Sequence, residues 1–204
     1  MDGHSRPSVR PVTTDWFDRP VLTGPHVRLE PLTPEHAEGL FEAGKDPDIW
    51  TWLADLQPGT LAEARALVTK ALADPNRRAW AQVDPATGEV AGTTSYYDVD
   101  PVHRAVYIGH TWIGPRWQRT GMNTNSKLLL VARAFDDLGA LRVGWHTDML
   151  NSRSRAAIER LGATFEGTLR AHRIRPDGTL RDTAVYSVTA PEWPSVRAGL
   201  TSRN

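Results

Sequence analysis

The stretch WQRTGMNTNSKLLL, residues 117–130, runs from a polar turn with one glycine straight into an apolar helix start. Gly121 can take a positive φ that other residues resist, and Asn123, Thr124 and Asn125 are residue types that cap helices by accepting free backbone N–H bonds. Arg116, Arg119 and Lys127 stand close by in sequence. Exposed amides, the dipole of a first helical turn and nearby cations together describe an anion site at a helix N-terminus, for which a pyrophosphate is the expected guest.

The elements that must position this turn can be read from hydrophobic periodicity. Residues 26–32, HVRLEPL, alternate as a half-buried strand does, and Thr33 and Pro34 then open a helix as cap and first residue. A second helix over 59–74 places Leu61, Ala64, Leu67, Val68 and Leu72 on one face and stops before Pro75. Residues 79–99 read as two strands about the turn 84–88, and AVYIGHTWIG, residues 105–114, as a third. The turn at 117–125 then feeds a helix whose expected buried stripe is Leu128, Leu129, Ala132, Phe135 and Leu138, ended by Gly139. LRVGWHTDM, residues 141–149, is the next strand, reached by a helical crossover and followed by a short helix over about 152–161 with Gly162 as its stop. The last hairpin turns at Pro176, Asp177 and Gly178. The fold class is mixed α/β (α+β), a mixed sheet with helices on both faces.

Composition narrows the partners. Lys plus Arg and Asp plus Glu both number 24, so no global basic field points to nucleic acid or to an anionic membrane. No cysteine is present, so a catalytic sulfur has to come from a cofactor and no thiolate metal site is possible. No stretch approaches the roughly 18 apolar residues of a membrane span, and a cytoplasmic location is expected. The 204 residues suit one domain, set at 21–196, with a flexible arm over 1–20 and a tail over 197–204.

Two motifs resemble those of the GNAT superfamily of acyl-CoA-dependent N-acyltransferases, in particular its RimJ/RimL-like group. Gln118, Arg119, Thr120, Gly121, Met122 and Asn123 match the pyrophosphate loop Q/R-x-x-G-x-G/A except at Asn123. Asn151, Ser154, Leu161 and Gly162 match the segment N-x-x-S-x-x-x-x-x-x-L-G. The resemblance implies a GNAT-like three-layer fold whose mostly antiparallel twisted sheet contains a splayed parallel strand pair, here 105–114 and 141–149. It implies acetyl-CoA as cofactor, with amides from Arg119 to Thr124 holding the pyrophosphate. Backbone from His110 to Trp112 would face the pantetheine arm, with Ile113 leading into the loop. Asn151 and Arg153 complete the expected cofactor set, and a homodimer through the last hairpin is a further expectation.

Transfer of an acyl group from a thioester to an amine needs a neutral amine, a stabilised oxyanion and a proton for a thiolate whose parent pKa is about 8.5. The resemblance nominates Ser154 as donor to the sulfur, although Asn151 and Ser152 also read as a helix cap with Ser154 in its first turn. In RimJ/RimL relatives a glutamate often stands where this chain has Tyr107. His110, His146 and Asp148 are left as candidate bases, His110 first and Asp148 second. Trp50 and Trp52 are candidates for a lid over the acceptor, Asp98 and Asp100 for attracting a cationic amine, and Met122, Trp145 and Met149 for an acyl pocket; each set reads equally as core or turn. The expected activity is acetylation of a small-molecule or peptide primary amine. The missing glutamate also supports the alternative of a non-catalytic acyl-CoA-binding module.

Overall fold

The computed structural model describes residues 15–202. Its elements in chain order are β1 (Leu22–Thr23), β2 (Arg28–Pro31), α1 (Ala37–Ala43), α2 (Leu61–Ala73), β3 (Arg77–Val83), β4 (Val90–Asp100), β5 (Ala105–Ile113), α3 (Met122–Ala132), β6 (Arg142–Asp148), α4 (Ser152–Arg160), β7 (Thr164–Ile174), β8 (Leu180–Thr189) and α5 (Trp193–Thr201). The eight strands form one sheet in the order β1-β2-β3-β4-β5-β6-β8-β7. Every pairing is antiparallel except β5 with β6, the pair joined by the α3 crossover.

Each face of the sheet carries its own apolar cluster. On one, Trp80, Tyr96, Val106, Ile108 and Val143 pack with Leu130, Val131 and Ala134 of α3 and its continuation and with Trp193 and Leu200 of α5. On the other, Ala79, Ala81 and Val83 meet Leu40 of α1 and Val68 and Ala71 of α2. The small residues of β3 let these two helices approach closely. Helix α2 begins with a capping box in which Thr60 accepts from the Glu63 amide and the Glu63 carboxylate accepts from the Thr60 amide, a pairing that satisfies two otherwise orphan donors.

Three expectations are corrected. The part of the expected N-terminal arm that is described does not hang free: Trp16 is buried, and Arg133 donates to the carbonyls of Asp15 and Asp18; residues 1–14 of that arm lie outside the described residues. The expected tail from 197 is helical through Thr201, with Leu200 buried. In α3 the buried face is Met122, Asn125, Ser126, Lys127, Leu130 and Val131, while Leu128, Leu129 and Ala132 are only half-buried. Phe135 and Leu138 of the expected stripe are buried and Leu128, Leu129 and Ala132 pack at the edge of the same cluster, while polar Ser126 and Lys127 take interior positions that the apolar pattern left out.

Candidate active site

Strand β5 changes its facing partway along. Up to Gly109 it alternates normally, with Val106 and Ile108 toward α3 and Tyr107 toward the opposite face. Ser95 of β4 then opposes Gly109 and Thr93 opposes Trp112, so Thr94 stands against two residues, His110 and Thr111. This is a β-bulge, and His110 holds the left-handed backbone it requires, at φ 47°. The extra residue shifts the alternation by one. His110 and Trp112 consequently face the α1/α2 side, and Thr111 turns toward α3.

Beyond the bulge β5 also leaves β6. Their parallel ladder covers only Ala105–Tyr107 against Arg142–Gly144, after which β5 pairs with β4 alone and β6 with β8 alone. Tyr107 contributes to the ladder's tightness at its last rung: a Cβ on Gly144 would lie 2.5 Å from its ring. The strand edges that face each other past this rung lack a ladder partner, and extended backbone in such a gap has to find other hydrogen-bonding groups.

The loop that follows β5 closes one end of this gap. The positive φ expected at Gly121 falls instead on Arg119, at 61°, whereas Gly121 is helical with φ −64° and serves as the N-cap of α3. The glycine is required for space: an added Cβ would come within 2.4 Å of the His26 ring. Asn123, Thr124 and Asn125 do not cap the helix either. They lie within its first turn, and the buried Asn125 accepts from the His26 amide at 3.2 Å. No side chain caps α3, while Thr120 Oγ1 donates to the Trp117 carbonyl and accepts from the Met122 amide, shaping the turn. Of the cations read near the loop, Arg116 is paired with Glu89 and stacked on Trp117. Lys127 points inward, leaving Arg119 exposed at the turn.

The second motif meets the first in space. Asn151 caps α4 by accepting from the Ser154 amide at 2.9 Å, as the cap reading expected. Ser154 itself is half-buried, and its hydroxyl has no protein partner among the described residues. Arg153 donates to the Gln118 carboxamide, whose nitrogen donates in turn to the Ile113 carbonyl at 2.9 Å. These contacts tie α4, the loop and the end of β5 together. Met122 and Trp145 are core residues, and Met149 is partly buried with its sulfur accepting from Thr168.

On the α1/α2 side the sheet forms the floor of an open cleft. His110 and Trp112 line it together with Trp50, whose ring lies 5.6 Å from that of Trp112. Trp50 Nε1 donates to the Gly44 carbonyl, so this tryptophan is anchored as a wall; Trp52 is more exposed and does not line the cleft. The His110 ring is open to the cleft mouth and edge-on to Tyr97. Its partial desolvation between these walls, and then the Arg77 charge, hold its pKa below the ordinary histidine value. It is therefore neutral at pH 7. His146 packs against Tyr107 at 4.6 Å, and burial followed by the neighbouring His172 lowers its pKa to about 4.

Asp148 lies elsewhere. Its carboxylate is buried and held by Arg175 at 2.7 and 3.1 Å, and it also accepts from the Leu150 amide. Burial works to raise its pKa, but the Arg175 fork and the Leu150 amide bring it below the usual carboxylate value. Asp148 thus joins β6 to the β7–β8 hairpin, and the structure does not bring it into the cleft with His110. Asp98 and Asp100 do not line the cleft either; Asp100 is paired with His103 at 2.7 Å.

Sequence reasoning misplaced one group, Lys127, which it read as a loop cation, and missed another, Arg77. Lys127 is buried, donating to Thr111 Oγ1 at 2.6 Å and Thr94 Oγ1 at 3.0 Å, so it pins α3 to the back of the bulge. Burial lowers its pKa to about 7. Arg77 lines the cleft floor, its Nε donating to Ser95 Oγ at 2.8 Å. Neither had a local signal, because the partners of both come from strands distant in sequence.

The arrangement of loop, parted strands and α3 is that of an acyl-CoA-dependent acyltransferase, and comparison with known proteins agrees. Residues 26–164 match the acetyltransferase (GNAT) domain family, and the chain belongs to that family. It is an N-acetyltransferase by class, with acetyl-CoA as the family's acyl donor. The RimJ/RimL-like grouping is supported by the curated relatives, both from Bacillus subtilis (strain 168). One is the uncharacterized N-acetyltransferase YoaA, 26% identical over 84% of this chain and 98% of the relative. The other is YdaF, named provisionally as a ribosomal N-acetyltransferase, 32% identical over 52% of this chain and 57% of the relative. A GCN5-related N-acetyltransferase of Brucella melitensis superimposes with a TM-score of 0.88 at 34% identity, covering 91% of this chain and 85% of that one. Among the described residues no helix is long and apolar enough to cross a membrane.

Proposed function

We propose that the protein transfers the acetyl group of acetyl-CoA to a primary amine by direct attack within a ternary complex, the acceptor entering through the α1/α2 cleft. The observation that carries this reading is the parting of β5 from β6 immediately after Tyr107 and Gly144, between the uncapped N-terminus of α3 and the cleft lined by His110. The residues present fit the cofactor. The first-turn amides of Asn123 and Thr124, which no side chain among the described residues accepts, suit a pyrophosphate, Arg119 and Arg153 add charge, and unpaired strand edges suit the amides of the pantetheine arm. Acetyl-CoA, when bound, supplies an acetyl thioester whose C–S bond is exchanged for an N–C bond to the acceptor, with loss of one amine proton.

The chain's own contribution is positioning and hydrogen bonding. His110, neutral at pH 7, offers its free ring nitrogen as an acceptor that orients the entering amine, and its lowered pKa makes it a poor store for the proton, which passes to water. The Ser154 hydroxyl, without a protein acceptor, is the donor for the departing sulfur. Asp148 is bound to Arg175 and acts in fixing the hairpin. Desolvation raises the Tyr97 phenol's pKa, so it stays protonated as a wall beside His110.

The test is release of free thiol from acetyl-CoA with a broad panel of primary amines. Release that requires an amine and yields the N-acetyl product supports the reading. Binding of acetyl-CoA with no acetylation of any amine would remove it.

A further inference from the structure

The cleft floor contains a cation that the acyl-transfer reading leaves without a task. Arg77, on the first residue of β3, is the one Lys or Arg among the described residues that line the cleft. Its Nε is satisfied by Ser95 Oγ at 2.8 Å, which fixes the plane of the guanidinium, while no protein acceptor among the described residues reaches either terminal nitrogen. The nearby carboxylates are otherwise engaged: Asp55 pairs with Lys70 at 2.6 Å, and Asp74 accepts from the Asn76 amide at 2.9 Å. Desolvation by the surrounding residues bears on this guanidinium more strongly than the attraction of either aspartate. A planar fork held at its Nε by Ser95, on the lining of an apolar-walled cleft, suits a carboxylate received through two parallel hydrogen bonds.

The walls describe the rest of the ligand. Leu40, Leu53, Leu67, Trp50 and Trp112 surround the space between Arg77 and the mouth. Arg77 is hydrogen-bonded to Ser95, which pairs with Gly109 next to His110, so the guanidinium and the imidazole line the same part of the cleft floor. A single guanidinium among apolar groups matches one carboxylate and is a poor match for a doubly charged phosphate. We infer that the acceptor is an amine with an apolar body and a single carboxylate close to the nitrogen, the class of the apolar α-amino acids, its carboxylate seated on Arg77. This deepens the proposed acetyltransferase reading and rests on it for the role of the amine.

The experiment compares paired ligands that differ only in the carboxylate, using the full chain. Thiol release is measured with phenylalanine against phenethylamine and with leucine against isoamylamine, for the wild type, Arg77→Gln and Arg77→Lys. A charge-assisted pair of hydrogen bonds predicts a preference in kcat/KM of about 10-fold to 100-fold for the amino acid. That preference should fall toward unity in Arg77→Gln and be partly retained in Arg77→Lys, which preserves charge without the fork. In parallel, 3-phenylpropionate, which has the carboxylate and no amine, is titrated calorimetrically into each protein in the presence of CoA. Binding by the wild type that is weakened in both variants supports the inference even if no amine is acetylated, an outcome that would remove the acetyltransferase reading alone. Turnover of the amines without preference for the carboxylate, or absence of heat with 3-phenylpropionate, would overturn the inference and leave the acetyltransferase reading standing.

Discussion

The two sides of β5 recognise their ligands by different means. On the side of the α3 loop, the groups offered are backbone amides and strand edges, and the side chains that matter do so mainly by being small or by fixing the turn: Gly121 because the His26 ring leaves no room for a Cβ, Thr120 because it bonds both ends of the turn. In the α1/α2 cleft, the groups offered are side chains drawn from the α1–α2 connection, both helices and three strands. Backbone recognition requires a local spacing of glycine and polar residues and so leaves a motif. Side-chain recognition assembled from distant elements does not. A family held together by its cofactor can therefore vary its acceptor freely.

The comparison breaks most visibly at Gly121. Substitution by valine places a branched side chain against His26 and is expected to cost about 1–3 kcal/mol of stability along with most of the affinity for CoA. Denaturant unfolding checks the first effect and titration the second. Adding His26→Ala should restore stability if space is the reason for the glycine, and should not if a special backbone conformation is.

Lys127 tests how the two sides are connected, because it joins the cofactor helix to the bulge that turns His110 into the cleft. A lysine whose folded pKa is about 7 rather than the usual 10.5 binds its proton more weakly in the folded chain than in the unfolded one. Between these values the unfolded chain holds the extra proton, so stability rises with pH by up to about 1.4 kcal/mol per unit, and below about pH 7 this contribution is flat. Lys127→Met should abolish that slope in urea unfolding between pH 7 and 10, and it leaves Thr94 and Thr111 bonded to each other at 2.8 Å. If the altered packing lets the bulge relax, acetylation should fall more than CoA binding does.

Smaller effects separate the proposed roles. His110→Gln keeps a hydrogen-bonding group but changes its reach, and a reduction of about 10-fold in kcat/KM is expected. Because His110 is already neutral at pH 7, the rise of rate with pH above neutrality should follow the pKa of the chosen amine in both proteins. A shift of that limb with the substitution would instead make His110 the base. Ser154→Ala should lower kcat by a few-fold, about 1 kcal/mol, with KM for acetyl-CoA little changed, since a thiolate is a fair leaving group without help.

What was legible in the sequence follows the same division. The order of elements from β2 to β8 and the crossover were readable, because hydrophobic period and turn chemistry are local signals, whereas β1 and α5 were not read and the parting parallel pair came only from the family resemblance. The polar interior positions of α3, Ser126 and Lys127, were left out by the periodicity, since the groups that satisfy Lys127 belong to β4 and β5. The positive φ was assigned to Gly121 when Arg119 carries it, because a glycine needed for space looks the same in sequence as one needed for its backbone. Asp148 looked like a base until its partner Arg175, 27 positions away, was placed against it. The bulge at His110 was invisible for a related reason: it shows only when β4 is laid beside β5 and one residue is found opposite two.

The most direct measurement is a calorimetric titration of the wild-type chain with acetyl-CoA and with S-acetylpantetheine, which has the same thioester arm without the pyrophosphate and the 3′-phosphoadenosine, repeated on Gly121→Trp, which obstructs the α3 turn alone. Seating of the pyrophosphate on the α3 amides predicts that acetyl-CoA binds about 100-fold more tightly than S-acetylpantetheine, a difference of about 2.7 kcal/mol, and that Gly121→Trp removes the difference. Equal binding of the two compounds, or no heat with acetyl-CoA, would contradict the placement of the cofactor at this helix.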